Sequence, residues 1–265
     1  LRGLALREQL FGGALLTEGA HESIVRLRVR AHAAVAQAFA LANSEPLPQR
    51  ASNPDWLSKL SEARGLFARD SEVRRLVFAY AESLHFSVDR CVIDRPRIRA
   101  NQPGLAQIAA AAPALYAHRD TWYGNPQAQI NVWTALEQAP RDTGFAIFSD
   151  VFHVAVDNDS EQFSYDEFRA DVGWQRPSPP PTARYPRALR EEQWRDRSVL
   201  IAPEIAEVVL FSAAHLHQTL AHSIEHIRWS IDFRVVCLDD VSAGRGAPNC
   251  DNCSRGDASV EYWRC

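Results

Sequence analysis

Apolar residues recur at helical spacing through the first third of the chain and then give way to short alternating runs. From 22 to 41 they return every three or four positions with no proline between them, which predicts an amphipathic helix. Asn53-Pro54 supplies an N-cap and a proline suited to a first helical turn, predicting a second helix that runs toward Phe67. Asp70-Ser71 can cap a third, ending near His85. From Phe86 onward, runs rich in Val, Ile, Phe, Tyr and Trp are bounded by Pro, Gly, Asn and Asp. They predict strands over 88–98, 116–120, 129–135, 146–148, 199–201, 208–212 and 228–236.

The last of these strands is strictly two-faced. Trp229, Ile231, Phe233 and Val235 alternate with Arg228, Ser230, Asp232 and Arg234. Side chains alternate across a strand, so the first set suits a core and the second suits either water or a polar cavity. Between 158 and 197 the periodicity stops, and Pro177-Ser-Pro-Pro-Pro181 cannot donate ladder hydrogen bonds. That stretch reads as a surface insertion. Its Phe163, Tyr165, Phe168, Trp174 and Tyr185 suit a lid over an apolar ligand. The pattern gives one domain over 1–265: helical support at 1–85, a β core at 86–240 interrupted by the 158–197 insertion, and a tail at 241–265. No internal repeat is visible.

Composition narrows the class. A chain of 265 residues, 46% hydrophobic and 23% charged, can bury a sizeable core. A net charge of -4 without a basic stripe argues against a nucleic-acid partner. No apolar run approaches the roughly 20 residues of a membrane span. Arg2, Arg7 and Glu8 interrupt the opening segment, which does not read as a signal peptide, so a cytoplasmic location is expected. Cys91 and Cys237 lie in apolar runs as buried thiols. Cys250, Cys253 and Cys265 cluster near the end with one CxxC spacing, but no fourth zinc ligand stands nearby, and their role is open. Lys59 is the single lysine, and alanine, arginine and proline are plentiful, a composition expected of a GC-rich coding sequence.

The candidate chemistry lies in a divided set of metal-ligand types. His118-Arg119-Asp120 comes first, and His217 follows 99 residues later. On an extended strand His118 and Asp120 would share a side. Either His215 or His217 could complete the set. His217 is preferred because it closes the apolar run from Val208, where a strand would reach a rim, and because Arg228 follows eleven positions later. Two histidines and a carboxylate hold a divalent metal on one face and leave the opposite positions open, as in oxygen-activating non-heme Fe(II) enzymes. A buried arginine beside such a metal suits bidentate capture of a carboxylate-bearing cosubstrate.

Four segments together resemble Fe(II)/2-oxoglutarate-dependent oxygenases, specifically the phytanoyl-CoA dioxygenase-like branch. They are His118-Arg-Asp-Thr-Trp-Tyr123, Gln129-Ile-Asn-Val-Trp133, Phe211-Ser-Ala-Ala-His-Leu-His217 and Arg228-Trp-Ser-Ile-Asp-Phe-Arg234. The resemblance covers about residues 85 to 240 and fits the N-terminal helices less specifically. It implies a mainly β fold with flanking helices, a double-stranded β-helix or jelly-roll (cupin-like) barrel. It implies His118, Asp120 and His217 as iron ligands, and Arg228, helped by Ser230, as the partner of the distal carboxylate of 2-oxoglutarate. Asn131 would support the cosubstrate. Gln129, Trp133, Trp122, Tyr123 and Arg97 become candidate pocket residues, with Arg95 beside Arg97; for the aromatics, plain core packing is the competing reading. His153, His222 and His226 are expected to have no chemical role. The implied activity consumes O2 and 2-oxoglutarate, releases succinate and CO2, and hydroxylates a small organic substrate. Desaturation, cyclisation or epimerisation are alternative outcomes. Halogenating relatives lack the carboxylate ligand, so Asp120 speaks against that outcome, and the retained ligand set with Arg228 disfavours a non-catalytic jelly-roll module. Oligomeric state and substrate identity are not legible.

Overall fold

The computed structural model describes residues 2–42, 45–51, 55–171, 185–205 and 207–265. Its helices are α1 (Gly3–Phe11), α2 (Glu22–Phe39), α3 (Trp56–Arg69), α4 (Ser71–Ser83), α5 (Tyr165–Asp171) and α6 (Leu238–Ser242). Its strands are β1 (Leu16–Gly19), β2 (Cys91–Ile93), β3 (Arg97–Asn101), β4 (Gln129–Ala135), β5 (Phe145–Ile147), β6 (Val199–Ile201), β7 (Glu207–Ser212), β8 (His217–Thr219), β9 (Arg228–Cys237) and β10 (Trp263–Arg264). Two antiparallel sheets result. The larger runs β1-β7-β4-β9-β2-β10, with β3 also paired to β9, and the smaller runs β6-β5-β8. No helix among the described residues is long and apolar enough to cross a membrane.

Alternation along β4, β7 and β9 assigns each face of the larger sheet. Ile130, Val132, Val208, Leu210, Trp229, Ile231, Phe233 and Val235 pack against the apolar stripes of α2, α3 and α4. Trp229 anchors this layer, 5.7 Å from the Trp56 ring, and its indole N–H donates to Pro48 O at 2.9 Å. The opposite face carries Trp133, Ala135, Val209 and Phe211, which meet Phe145, Ile147 and Ile201 of the smaller sheet. Gln129 and Asn131 of β4 and the polar residues of β9 therefore point between the sheets.

Several boundaries differ from the sequence reading. The run expected at 88–98 is broken: Val88–Arg90 is a 3-10 turn, and Pro96, lacking an N–H, separates β2 from β3. The Asp94 N–H instead donates to Arg234 O at 2.9 Å. No strand forms over 116–120; only His118 is paired, and Asp120–Tyr123 turns as a 3-10 helix that stops at Gly124, whose φ of 76° is left-handed. Nor does His217 end a strand from Val208, since β7 stops at Ser212 and His217 opens β8 in the other sheet. The N-cap expected at Asn53-Pro54 lies outside the described residues, whereas Asp70 does cap α4, accepting from the Glu72 N–H at 2.9 Å. The opening segment is structured as α1 and as the edge strand β1, and the tail is packed and ends in β10.

Candidate metal centre

His118 and His217 are backbone partners across the two halves of the chain. Each donates its N–H to the other's carbonyl at 3.0 Å, and their rings lie 4.4 Å apart. Each ring also has its Nδ1 beside a carbonyl, His118 to Tyr116 O at 2.8 Å and His217 to His215 O at 3.0 Å. That contact favours the tautomer with hydrogen on Nδ1, leaving the Nε2 lone pair facing inward. Asp120 Oδ1 lies 3.5 Å from His118 Nε2 and 4.0 Å from His217 Nε2. One ligand atom from each of the three falls within 4.8 Å of the others, and among the described residues no other cluster of such side chains does this. His215, the alternative ligand, is fully buried with its Nε2 3.2 Å from Gly13 O, away from this group.

The second oxygen of Asp120 is already engaged. Oδ2 accepts from Asn131 Nδ2 at 2.8 Å, Arg234 Nε at 3.2 Å and Gln129 Nε2 at 3.3 Å. Gln129 is held in turn by the Tyr262 hydroxyl, which donates to its Oε1 at 2.7 Å. Burial alone would raise the Asp120 pKa, but the Arg234 charge and the His118 contact hold it well below the usual carboxylate range. Burial, followed by the nearby His118, pushes His217 down to about 4. The pair is thus an ionised carboxylate beside a neutral imidazole, the protonation states a divalent metal requires.

Arg228 and Ser230 sit further along the same inward face of β9. Arg228 is buried; its Nη1 donates to Ser230 Oγ at 2.9 Å and its guanidinium lies 5.3 Å above the Trp133 ring. Its Nε has no hydrogen-bond partner, and loss of hydration, followed by the Arg99 charge, lowers its pKa to about 10. With Trp133, Thr143, Gly144 and Pro203 it lines a small pocket between the sheets. A buried cation without a carboxylate beside it suits an anionic ligand.

The remaining candidates divide. Tyr123 presents its ring edge-on to His118 at 5.1 Å and donates its hydroxyl to Pro186 O. Trp122 is fully buried and donates its indole N–H to Asp251 at 2.8 Å, so it packs as core. Arg97 pairs with Asp94 at 3.0 Å, while Arg95 is exposed. His153, His222 and His226 stand apart from the metal-ligand group. Three participants escaped the sequence reading. Arg234 and Asp94 form an ion pair at 2.7 Å, and the position of Arg234 on the inward face of β9 was the available signal. Asp251 pairs with Arg119 at 3.1 Å, and no pattern in the tail announced it. Cys250, Cys253 and Cys265 are free thiols.

The sequence matches no protein-family model and no curated protein. Solved structures similar to the chain include AviO1 from Streptomyces viridochromogenes, at 14% identity and TM-score 0.42 over 94% of this chain and 99% of that one. Another is the non-heme monooxygenase ThoJ, at 9% identity and TM-score 0.48 over 87% and 77%. A third is the epimerase SnoN, in complex with Fe3+, alpha ketoglutarate and a nogalamycin compound, at 14% identity and TM-score 0.44 over 93% and 96%.

Proposed function

We propose that the chain is a non-heme Fe(II)- and 2-oxoglutarate-dependent oxygenase on a double-stranded β-helix, phytanoyl-CoA dioxygenase-like, that hydroxylates a small organic substrate. The convergence of His118, Asp120 and His217 on one point, with buried Arg228 in the same inter-sheet layer, carries this reading. The donor set fits the metal: two neutral nitrogens and one carboxylate oxygen suit Fe(II) and leave coordination positions open. When bound, iron and 2-oxoglutarate supply oxygen activation and oxidation of a substrate C–H bond, with release of succinate and CO2. The protein's residues set the geometry for that chemistry. Asn131, Gln129 and Arg234 hold Asp120 Oδ2 and so present Oδ1 alone to the metal. Arg228 and Ser230 receive a carboxylate, and the apolar layer of Trp133, Phe145 and Phe211 limits water around them. Desaturation, cyclisation and epimerisation share this machinery and differ in how the substrate lies.

Anaerobic titration with Fe(II), then 2-oxoglutarate, then exposure to air tests the reading. One metal per chain and slow, oxygen-dependent succinate release are expected, both abolished by His118→Ala or His217→Ala. Succinate production equal to a metal-free control would refute it.

A further inference from the structure

Three thiols stand in one row across the larger sheet. Cys91 of β2 lies directly opposite Cys237 of β9. On the other side of β2, Trp263 is opposite Ile93 and Arg264 opposite Val92, a register that sets Cys265 opposite Cys91. Parity gives all three side chains the face of Ile93, Val235 and Trp263, which packs against the helices. All three are free. Cys91 and Cys237 are buried, and Cys265 is exposed because β10 ends the sheet on that side.

The ladder sets the spacing of the buried pair. The Asp94 N–H donates to Arg234 O, so 94 and 234 form a hydrogen-bonded pair, and Cys91 and Cys237, three steps along, form a non-hydrogen-bonded one. Cα atoms of such a pair lie about 4.5 Å apart with their side chains at closest approach. That distance falls inside the roughly 4.4–6.8 Å that a disulfide spans. Either spacing of an antiparallel pair, about 4.5 or 5.5 Å, gives Cys91 and Cys265 the same reach. Burial, then the charges of Cys237 and Cys265, pushes the Cys91 thiol up to about 12. A thiol so buried and so firmly protonated is inert toward an oxidant in solvent, whereas Cys265 lies within its reach. Disulfides exchange by attack of a thiolate on a disulfide sulfur, with the attacking, central and leaving sulfurs near a line. A row across three successive strands supplies that arrangement.

The geometry points to a dithiol–disulfide site at Cys91 and Cys237, oxidised from solvent through Cys265 by a low-molecular-weight disulfide. Cys265 attacks one sulfur of that disulfide, forming a mixed disulfide and releasing one small thiolate. Cys91 attacks the Cys265 sulfur, forming a Cys91–Cys265 bond and releasing the second. Cys237 then attacks the Cys91 sulfur, forming the Cys91–Cys237 bond and returning Cys265 as a thiol. Two electrons and the protons of Cys91 and Cys237 pass to the small disulfide, which leaves as two thiols. The crosslink joins β2 to β9 three residues from the Asp94–Arg234 pair, whose arginine also contacts Asp120.

Incubation of the full chain with glutathione disulfide, quenched by alkylation at timed intervals and mapped by peptide mass spectrometry, provides the test. The Cys91–Cys265 bond is expected first and the Cys91–Cys237 bond at the end, with Cys265 alkylated and the melting temperature raised by roughly 5–10 °C. Cys265→Ser, an exposed change that leaves the core alone, should slow the buried crosslink tenfold or more. Cys237→Ala should stop the sequence at Cys91–Cys265. A Cys91–Cys237 bond that forms as fast in Cys265→Ser as in the parent protein would overturn the inference. So would Cys265 joined to Cys250 or Cys253, or Cys91 and Cys237 both still open to alkylation once the treated chain is unfolded. Should Cys237→Ala fail to fold, the timed comparison of Cys265→Ser with the parent protein decides alone.

Discussion

Asp120 divides its two oxygens between different tasks, and the division makes its neighbours testable. Oδ1 faces His118 and His217, while Oδ2 is occupied by Asn131, Arg234 and Gln129. Outer partners of a ligating group tune affinity by about 10–100-fold. Asn131→Ala should therefore weaken Fe(II) binding within that range without abolishing it, as read by competition with a chelating dye. Arg228→Ala belongs to another class. Losing one partner of a buried charged pair costs about 3–5 kcal/mol, so this variant should raise the 2-oxoglutarate requirement by hundreds-fold while Fe(II) binding survives; an unchanged requirement would refute the assignment. His215 and His217 differ in place but share a titration, each pushed down from 6.5 to about 4 chiefly by burial. A histidine kept neutral in the fold is protonated more readily in the unfolded chain. Its contribution to stability is complete above about 6.5 and is lost as pH falls toward 4. At ~1.4 kcal/mol per pKa unit, up to ~3 kcal/mol per histidine is at stake in the metal-free protein. The melting temperature should fall across that window, and His215→Asn should flatten the fall without removing metal binding.

Elements built on simple alternation were legible, and those built on single polar contacts were not. β4 matches its expected span because every residue of Gln129–Ala135 is paired with β9, and Ile130–Trp133 with β7 as well. β9 does nearly so, and burial of Arg228 and Ser230 shows that its polar face lines an interior. The segment around His118 misled because its Val- and Ile-poor run ends in a turn. Asp120 approaches His118 from a 3-10 helix, so strand parity predicted their meeting for a wrong reason. Gly124 was the available signal for that turn, overshadowed by Trp122 and Tyr123. The tail was opaque because its contacts have no period. Arg119 is buried and spends its donors on the carbonyls of Val151, Phe152, Val154 and Ala214, with Asp251 as its counter-charge. Asp251→Ala leaves that guanidinium buried without a carboxylate and should cost about 3–5 kcal/mol in denaturant unfolding.

At the scale of the molecule, the described part of the stretch over 158–197 lies beside the candidate site. Phe163, Tyr165, Phe168 and Tyr185 pack with Tyr123, whose ring touches His118; Trp174 and the prolines at 177–181 lie outside the described residues. The described aromatics therefore anchor this stretch beside His118, the position the proposed lid requires. Shortening 177–181 should uncouple the reaction, so that succinate release survives while product from an identified substrate disappears. Unchanged coupling would sink the lid.

The contact between Asp251 and the loop of Arg119 and Trp122 also predicts an order of events during synthesis. Asp120 is steadied by Gln129, which leans on Tyr262, and the turn after His118 is tied to Asp251. A nascent chain that has emerged only as far as Asp240 already holds the three proposed ligands yet lacks both braces. Contacts this distant in sequence form late, because their loop-closure entropy precedes any gain. A fragment stopped at Asp240 should bind Fe(II) far more weakly than the whole chain. That outcome would mean that the proposed metal enters a finished fold and does not nucleate one.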